Sequence, residues 1–512
     1  MTNLNQKNKS SEVQPLGFVI FRGEKKMFGI KTDDRRRHIY IIGKTGSGKT
    51  TLLENMMLFD IENNNGFAFI DAHGDTAYRI LKFIPKSRIE DVIYFNPSDL
   101  EYPFSFNFLS QVPWDLRHIV VSGLMSVFKK IWVDAWSARM EYILTNTLLA
   151  LLEFPEATLL DVNRLLADKN FRQTIVQNLK DPVVKNFWEN EYARYTQSFQ
   201  VEAIAPIQNK IGQFLSSPLI RNIVGQKENK IDFRQIMDEG KIFIANISKG
   251  LIGEENTALL GSMLVTKIQL AAMSRVDIPE EKRRDFYLYV DEFQNFATDS
   301  FVNILSEARK YHLSLILANQ YLDQLPEKIK QAILGNVGTI IVFRIGAPDA
   351  EILKKEFEPF LDVNDLVNLP KYHVYVKLIV DGVATQPFAA QTLPPPNVSF
   401  NFEEEIINLT RARFTVQRKI VEQKIKEKFG YLPGEKKESK FEAKCWNCGK
   451  EIYLDFPPQR GEPVFCSECQ GKYTPRVSLK KAVEKGLVEP LKKIKKKPFR
   501  EENFQFPSNQ KQ

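Results

Sequence analysis

Eight residues, Gly43-Lys44-Thr45-Gly46-Ser47-Gly48-Lys49-Thr50, have the spacing Gly-x4-Gly-Lys-Thr of a phosphate-binding loop. The apolar run His38-Ile-Tyr-Ile-Ile42 precedes them and Thr51-Leu-Leu-Glu-Asn-Met-Met57 follows, so the order is strand, glycine-rich loop, helix. Glycines let backbone N–H groups turn toward an anion at close range. The helix that starts at the loop's end adds its positive dipole end. Lys49 offers a mobile positive charge for the β- and γ-phosphates of ATP, and Thr50 a hydroxyl for Mg²⁺. The expected nucleotide-binding set is Gly43, Lys44, Thr45, Gly46, Ser47, Gly48, Lys49, Thr50 and Thr51. A glycine-rich turn that binds nothing would explain neither the lysine nor the threonine.

A second segment supplies carboxylates. Phe286-Tyr-Leu-Tyr-Val-Asp-Glu292 is an apolar strand ending in two adjacent acids. Phosphate hydrolysis needs an acid to hold Mg²⁺ and a base for the attacking water, and Asp291 and Glu292 fit these roles in turn. Further on, Ser306–Gln320 reads as a helix, a strand and a polar Asn-Gln at the strand's carboxyl end. In a parallel sheet that end lines the ligand crevice, which sets Gln320 beside the γ-phosphate. Arg309, at the end of the preceding helix, is either a surface cation or an arginine that reaches a neighbouring subunit's phosphate; Arg344, ending another strand, is its rival. His73, Gly74 and Asp75 fall near the same crevice, and no chemical role is assigned to them.

All four cysteines fall in one pattern. Cys445-Trp-Asn-Cys448 and Cys466-Ser-Glu-Cys469 are two Cys-x2-Cys knuckles separated by 17 residues, a structural zinc spacing. Four thiolates give a closed Zn²⁺ site with no open position for substrate. Redox-active thiols and unrelated buried cysteines are the competing readings.

These residues need elements to position them. The candidate strands are His38–Ile42, Phe67–Asp71, Val92–Phe95, Lys241–Ile247, Phe286–Asp291, Leu313–Ala318, Thr339–Phe343 and His373–Val380. Most are continuous apolar runs, as parallel strands covered on both faces require. With helices such as Lys49–Ile61 and Glu255–Arg275 between them, the class is α/β, a doubly wound sheet. Phe18–Phe28 suggests an edge hairpin. Arg35, Arg36 and Arg37 read as a solvated strand entry or a phosphate contact. Between Val112 and Lys230 the strand signal vanishes, which implies an inserted all-helical domain. Its cluster of Phe128, Lys129, Lys130, Trp132 and Trp136 is either a buried amphipathic face or a nucleic-acid stacking surface.

The expected organisation is a disordered tail at 1–17, a nucleotide-binding domain at 18–111 and 233–398, and the helical insertion at 112–232. A charged helix and linker over 399–440, a zinc module at 441–475 and a basic tail at 476–512 follow. The helix is placed at about Phe402–Phe429, after the stiff Pro394-Pro-Pro396 spacer. With 71 Lys plus Arg against 63 Asp plus Glu, the net charge of +8 permits a nucleic-acid partner without demanding one. No stretch approaches 18 uninterrupted apolar residues and no secretory signal opens the chain, so a cytoplasmic protein with no transmembrane segment of its own is expected. Docking at the inner face of a membrane stays open.

Four features carry a resemblance: Gly43–Thr50, Asp71-Ala-His-Gly-Asp75, Val290-Asp-Glu292 and Glu307–Gln320. The chain resembles the RecA-like P-loop motors of the HerA and FtsK class, most of all the coupling ATPases of type IV secretion and conjugation (the VirD4, TraD and TraG group). The inserted helical domain matches that group, and the cysteine module resembles a zinc ribbon. The resemblance implies a ring, a homo-hexamer, with ATP sites between subunits and DNA threaded through the centre. It implies Arg309 as arginine finger, Gln320 as sensor, and a membrane secretion complex or relaxase-like protein as partner. Two departures stand out. Coupling proteins usually begin with transmembrane helices, and 42 residues before the loop leave little room for a HerA-type β-barrel. The expected activity is ATP-driven DNA translocation. An assembly ATPase like VirB4 that moves protein and a nucleotide-gated scaffold that hydrolyses slowly are the alternatives.

Overall fold

The computed structural model describes residues 13–110, 112–299, 301–429, 441–454 and 464–470. Eleven strands form one mixed sheet, in the order β2-β1-β13-β10-β9-β3-β8-β7-β4-β6-β5. Seven of them are parallel neighbours: β9 (Thr339–Val342), β3 (Ile39–Ile42), β8 (Leu313–Asn319), β7 (Phe286–Val290), β4 (Gly66–Asp71), β6 (Ile242–Asn246) and β5 (Val92–Phe95). Every residue of these seven is buried. That double-sided burial is why they read as unbroken apolar runs.

The remaining four strands extend the sheet antiparallel. They are β10 (His373–Lys377), β13 (Phe388–Thr392), β1 (Val13–Phe21) and β2 (Glu24–Lys31). Three expectations change here. The expected strand His373–Val380 ends at Lys377, where Ile379–Val380 (β11) turns into a short hairpin with Val383–Ala384 (β12), and β10 alternates in burial as a strand covered on one face does. The 1–17 tail is not loose throughout: Val13 to Gly17 belong to β1, with Leu16 buried, while residues 1–12 lie outside the described residues. The charged helix at 402–429 is two helices, Glu403–Phe414 and Arg418–Lys428. Between them Thr415 turns extended and bridges Phe104, and the Val416 N–H donates to the Pro103 carbonyl at 3.2 Å. Both helices bury apolar side chains in the core (Ile406, Val421), so they are packed elements and not a linker.

Two apolar cores cover the two faces of the sheet. One is filled by the helix Lys49–Glu62, through Leu52, Leu53, Met56 and Met57. The other joins the opposite sheet face to the helices between β5 and β6, including Arg117–Ile131 and Ala138–Leu152. The Phe128–Trp132 pair stacks at 4.6 Å inside this core and Lys130 bonds the Gln294 carbonyl, so these residues belong to a packed face, while Lys129 is exposed and Trp136 half-buried. The helix Glu254–Met273 runs beneath the same face; with the turn to Asp277 it is long and apolar enough to cross a membrane, yet 67% of its apolar window is buried in the fold.

In the arginine run before β3, Arg35 and Arg36 are held by carboxylates of the fold and are neither a solvated entry nor a phosphate contact. Arg35 is fully buried, bidentate to Asp60 at 2.8 Å on both bonds, and lies 3.5 Å from the Tyr287 ring centroid. Arg36 pairs with Asp285 at 2.7 and 2.8 Å. A second compact unit follows residue 430. Its described residues form a hairpin, Phe441–Lys444 with Glu451–Leu454, and a helical turn at Ser467–Gln470. The basic tail at 476–512 lies outside the described residues.

Candidate functional site

The phosphate loop leaves the carboxyl end of β3, and the sheet order fixes its neighbours. Next to β3 is β8, followed directly by Gln320; then come β7, followed by Asp291 and Glu292, and β4, which ends at Asp71 and leads to His73. Residues as far apart in sequence as Thr45 and Gln320, 275 positions, thus meet along one edge of the sheet. They line a cavity of about 250 Å³ shared by Thr45, Lys49, Thr50, Asp291, Glu292 and Gln320.

Backbone contacts hold the loop. Lys44 N–H donates to the Arg344 carbonyl at 2.8 Å, and Tyr372 N–H to the Ser47 carbonyl at 2.9 Å. Gly43 tolerates no side chain, because a Cβ there would lie 2.5 Å from the Phe343 Cβ. Gly48 turns the chain at φ +125° into the helix, a region side chains rarely adopt. No side chain caps that helix and no acid stands in its first turn, so its amide groups and dipole are free for an anion. The Lys49 ammonium bonds the Gly43 carbonyl and, at 3.4 Å, the Lys44 carbonyl, inside the loop's own curve. Burial lowers its pKa, opposed by Asp291 and Glu292.

The acids form a crowded set. Burial first, then Asp71 and Glu292, push the Asp291 carboxyl up to about 7, against the pull of Lys49. A like-charged cluster of this kind suits a cation: Thr50 and Asp291 are the residues that fit Mg²⁺, hard oxygen donors beside a phosphate cradle. Glu292 sits at φ +53°, left-handed backbone for a residue that has a side chain. Its Oε1 accepts from the Gln320 amide at 2.8 Å and its Oε2 from the Gln294 amide at 2.6 Å. The Gln320 Oε1 in turn accepts from the Thr45 hydroxyl at 3.0 Å. Loop, glutamine and glutamate are one hydrogen-bonded chain.

Not every expected residue joins them. Arg309 is exposed in the turn Ala308–Tyr311 that precedes β8, so the length of that strand, roughly 20 Å, separates it from Gln320. Arg344 stands beside the loop through its backbone. Other residues were not legible as site residues. Asp71 accepts from the His73 and Ala77 backbone N–H groups at 2.8 Å each, fixing the turn opposite the loop. Lys371 and Tyr372 line the cavity from the antiparallel side. No spacing motif carries them; they arrive through the register of β10. The larger cavity, about 810 Å³, lies elsewhere, between Phe154, Phe171 and the helix Arg418–Lys428, and holds no such constellation.

The four cysteine sulfurs lie within 4.8 Å of one another, with Cys448 and Cys466 3.7 Å apart. Tetrahedral zinc, with Zn–S of about 2.3 Å, requires sulfurs about 3.8 Å apart. The donor set fits Zn²⁺. The Cys466 backbone N–H points at the Cys445 sulfur at 3.3 Å and draws that thiol's pKa down.

Fold and site together define a nucleotide-binding P-loop NTPase with a RecA-type sheet. The chain belongs to the type IV secretion-system coupling proteins: the family described as their DNA-binding domain matches residues 27–357. It is 22% identical over 391 residues to the type 4 coupling protein DotL of Legionella pneumophila subsp. pneumophila, covering 64% of this chain and 49% of that protein. The chain thus spans about half the length of that relative. The plasmid coupling protein TrwB in complex with ADP and Mg²⁺ shares the fold at TM-score 0.53 and 17% identity, over 72% of this chain and 87% of that one. VirB4 of Thermoanaerobacter pseudethanolicus shares it at TM-score 0.51 and 16% identity, over 74% and 97%.

Proposed function

We propose that this chain hydrolyses ATP and uses the free energy to move DNA. The observation that carries the hydrolytic half is the convergence of Lys49, Thr50, Asp291, Glu292 and Gln320 on one cavity. Lys49 and the free helix amides take the phosphate oxygens. Mg²⁺, held by Thr50 and Asp291, would neutralise phosphate charge. Glu292 accepts a proton from a water whose oxygen attacks the γ-phosphorus. The bond from that phosphorus to the β–γ bridging oxygen breaks, leaving ADP and phosphate. Gln320, bonded to both Thr45 and Glu292, links the loop's state to the base.

The DNA half rests on family membership. The cavity, at about 250 Å³, is smaller than the 300–1,000 Å³ of a typical small-molecule pocket. A cavity of that size suits a triphosphate better than a whole nucleotide, which supports completion of the site by a second copy in a ring, with Arg309 of the adjoining copy as the candidate finger. The cysteine module is read as a zinc ribbon whose metal supplies folding free energy and not catalysis. The test is ATP turnover by the full chain and by Glu292→Gln, with particle mass measured with and without ATP. Turnover lost in the variant and a multi-subunit mass agree with the proposal. Equal turnover in both chains, or a particle that stays monomeric while hydrolysing, contradicts it.

A further inference from the structure

Gln294 stands outside the nucleotide cavity, yet its amide is spent on the base. A carboxylate only accepts hydrogen bonds, so the group facing Glu292 Oε2 at 2.6 Å must be the Gln294 N–H₂. That orientation leaves Gln294 Oε1 enclosed with no hydrogen-bond partner among the described residues. An enclosed acceptor left without a partner is costly, so the contact to Glu292 is not an idle consequence of side-chain packing.

The backbone of the same residue is held from the other side. The Lys130 ammonium donates to the Gln294 carbonyl at 2.9 Å. Lys130 belongs to the helix Arg117–Ile131, in the helical stretch between β5 and β6, and 164 residues separate the two partners in sequence. This helix is itself seated closely on the core: a Cβ at Gly123 would meet Thr266 Cγ2 at 2.5 Å. Burial drives the Lys130 pKa down to about 7, with Lys249 adding to the shift. A lysine partly withdrawn from water to grip one carbonyl is a costly tether unless the carbonyl's position matters.

We propose that Gln294 and Lys130 are positioning residues for hydrolysis: Lys130 fixes the Gln294 backbone, the Gln294 amide aims the Glu292 carboxylate, and movement of the helical stretch is thereby transmitted to the base. The inference rests on the ATPase reading of the site and adds its regulation. Gln294 and Lys130 touch neither the phosphate loop nor the cavity, so their removal spares nucleotide binding. A base misaimed by about 1 Å loses on the order of a hundredfold in rate.

The experiment compares steady-state ATP hydrolysis by the full chain with Gln294→Leu, Lys130→Met and the double variant, alongside nucleotide affinity as a check on folding. Gln294→Leu is expected to lower kcat about ten- to a hundredfold with KM for ATP within about twofold. Lys130→Met lowers kcat in the same sense, and the double variant is no slower than Gln294→Leu alone, because both act through one contact. Additive losses, a loss carried by KM, or unchanged kcat in either folded single variant overturns the inference while leaving the ATPase reading intact. Absence of hydrolysis in the unaltered chain overturns both together.

Discussion

Two residues divide the labour of the site, and substitutions separate them. In the proposed mechanism Lys49, in the loop, takes phosphate, and Glu292, just beyond β7, takes a proton from water. Lys49→Ala is expected to weaken ATP binding itself, read as a raised dissociation constant in a titration with a fluorescent nucleotide. Glu292→Gln keeps the side chain's size and its bond to Gln320 within reach, so it retains ATP while kcat falls roughly 10²- to 10⁴-fold. A variant of Glu292 that lost binding and kept turnover would reverse these assignments. Lys130 adds a pH signature. Its folded pKa, near 7, is below the ordinary 10.5, so between those values the unfolded chain binds a proton that the folded chain does not. Stability therefore rises with pH across that window and the contribution is absent below about 7. Urea unfolding at pH 7, 8 and 9 should show a steeper rise for the unaltered chain than for Lys130→Met.

The elements were legible where one physical rule acted alone. The seven parallel strands are buried on both faces, and their unbroken apolar runs gave them away. The phosphate loop and the Asp291-Glu292 pair stood out by spacing and adjacency, and the fold brings both to one cavity. What failed were elements whose pattern comes from partners far along the chain. β13, Phe-Ala-Ala-Gln-Thr, is an antiparallel strand of mostly small residues that no periodicity marks. Arg35 looked like a surface cation because nothing in Arg-Arg-Arg announces Asp60 and Tyr287 on other elements. Gln294 meets Glu292 through a side-chain contact within a tight turn, which spacing does not encode. The buried Arg35–Asp60 pair yields a stability test. Arg35→Met strands a buried carboxylate, and denaturant unfolding should show a loss of about 3–5 kcal/mol. A loss below about 1 kcal/mol would mean that Asp60 finds another partner or takes up a proton.

At the scale of the whole molecule, the nucleotide site and the cysteine module belong to separate compact units, so they should fail separately. A chelator strong enough to strip Zn²⁺ is expected to release about one equivalent of metal per chain and to unfold the module, while ATP binding to the first unit persists. Loss of ATP binding on zinc removal would tie the two together. The central claim is that hydrolysis is spent on DNA, and its most direct measurement is the ATP hydrolysis rate of the full chain against added single- and double-stranded DNA, repeated over a series of salt concentrations. The account predicts a rate raised several-fold by DNA, with the stimulation falling steeply as salt rises because phosphate contacts release counterions. A rate that ignores DNA at every salt concentration would contradict it.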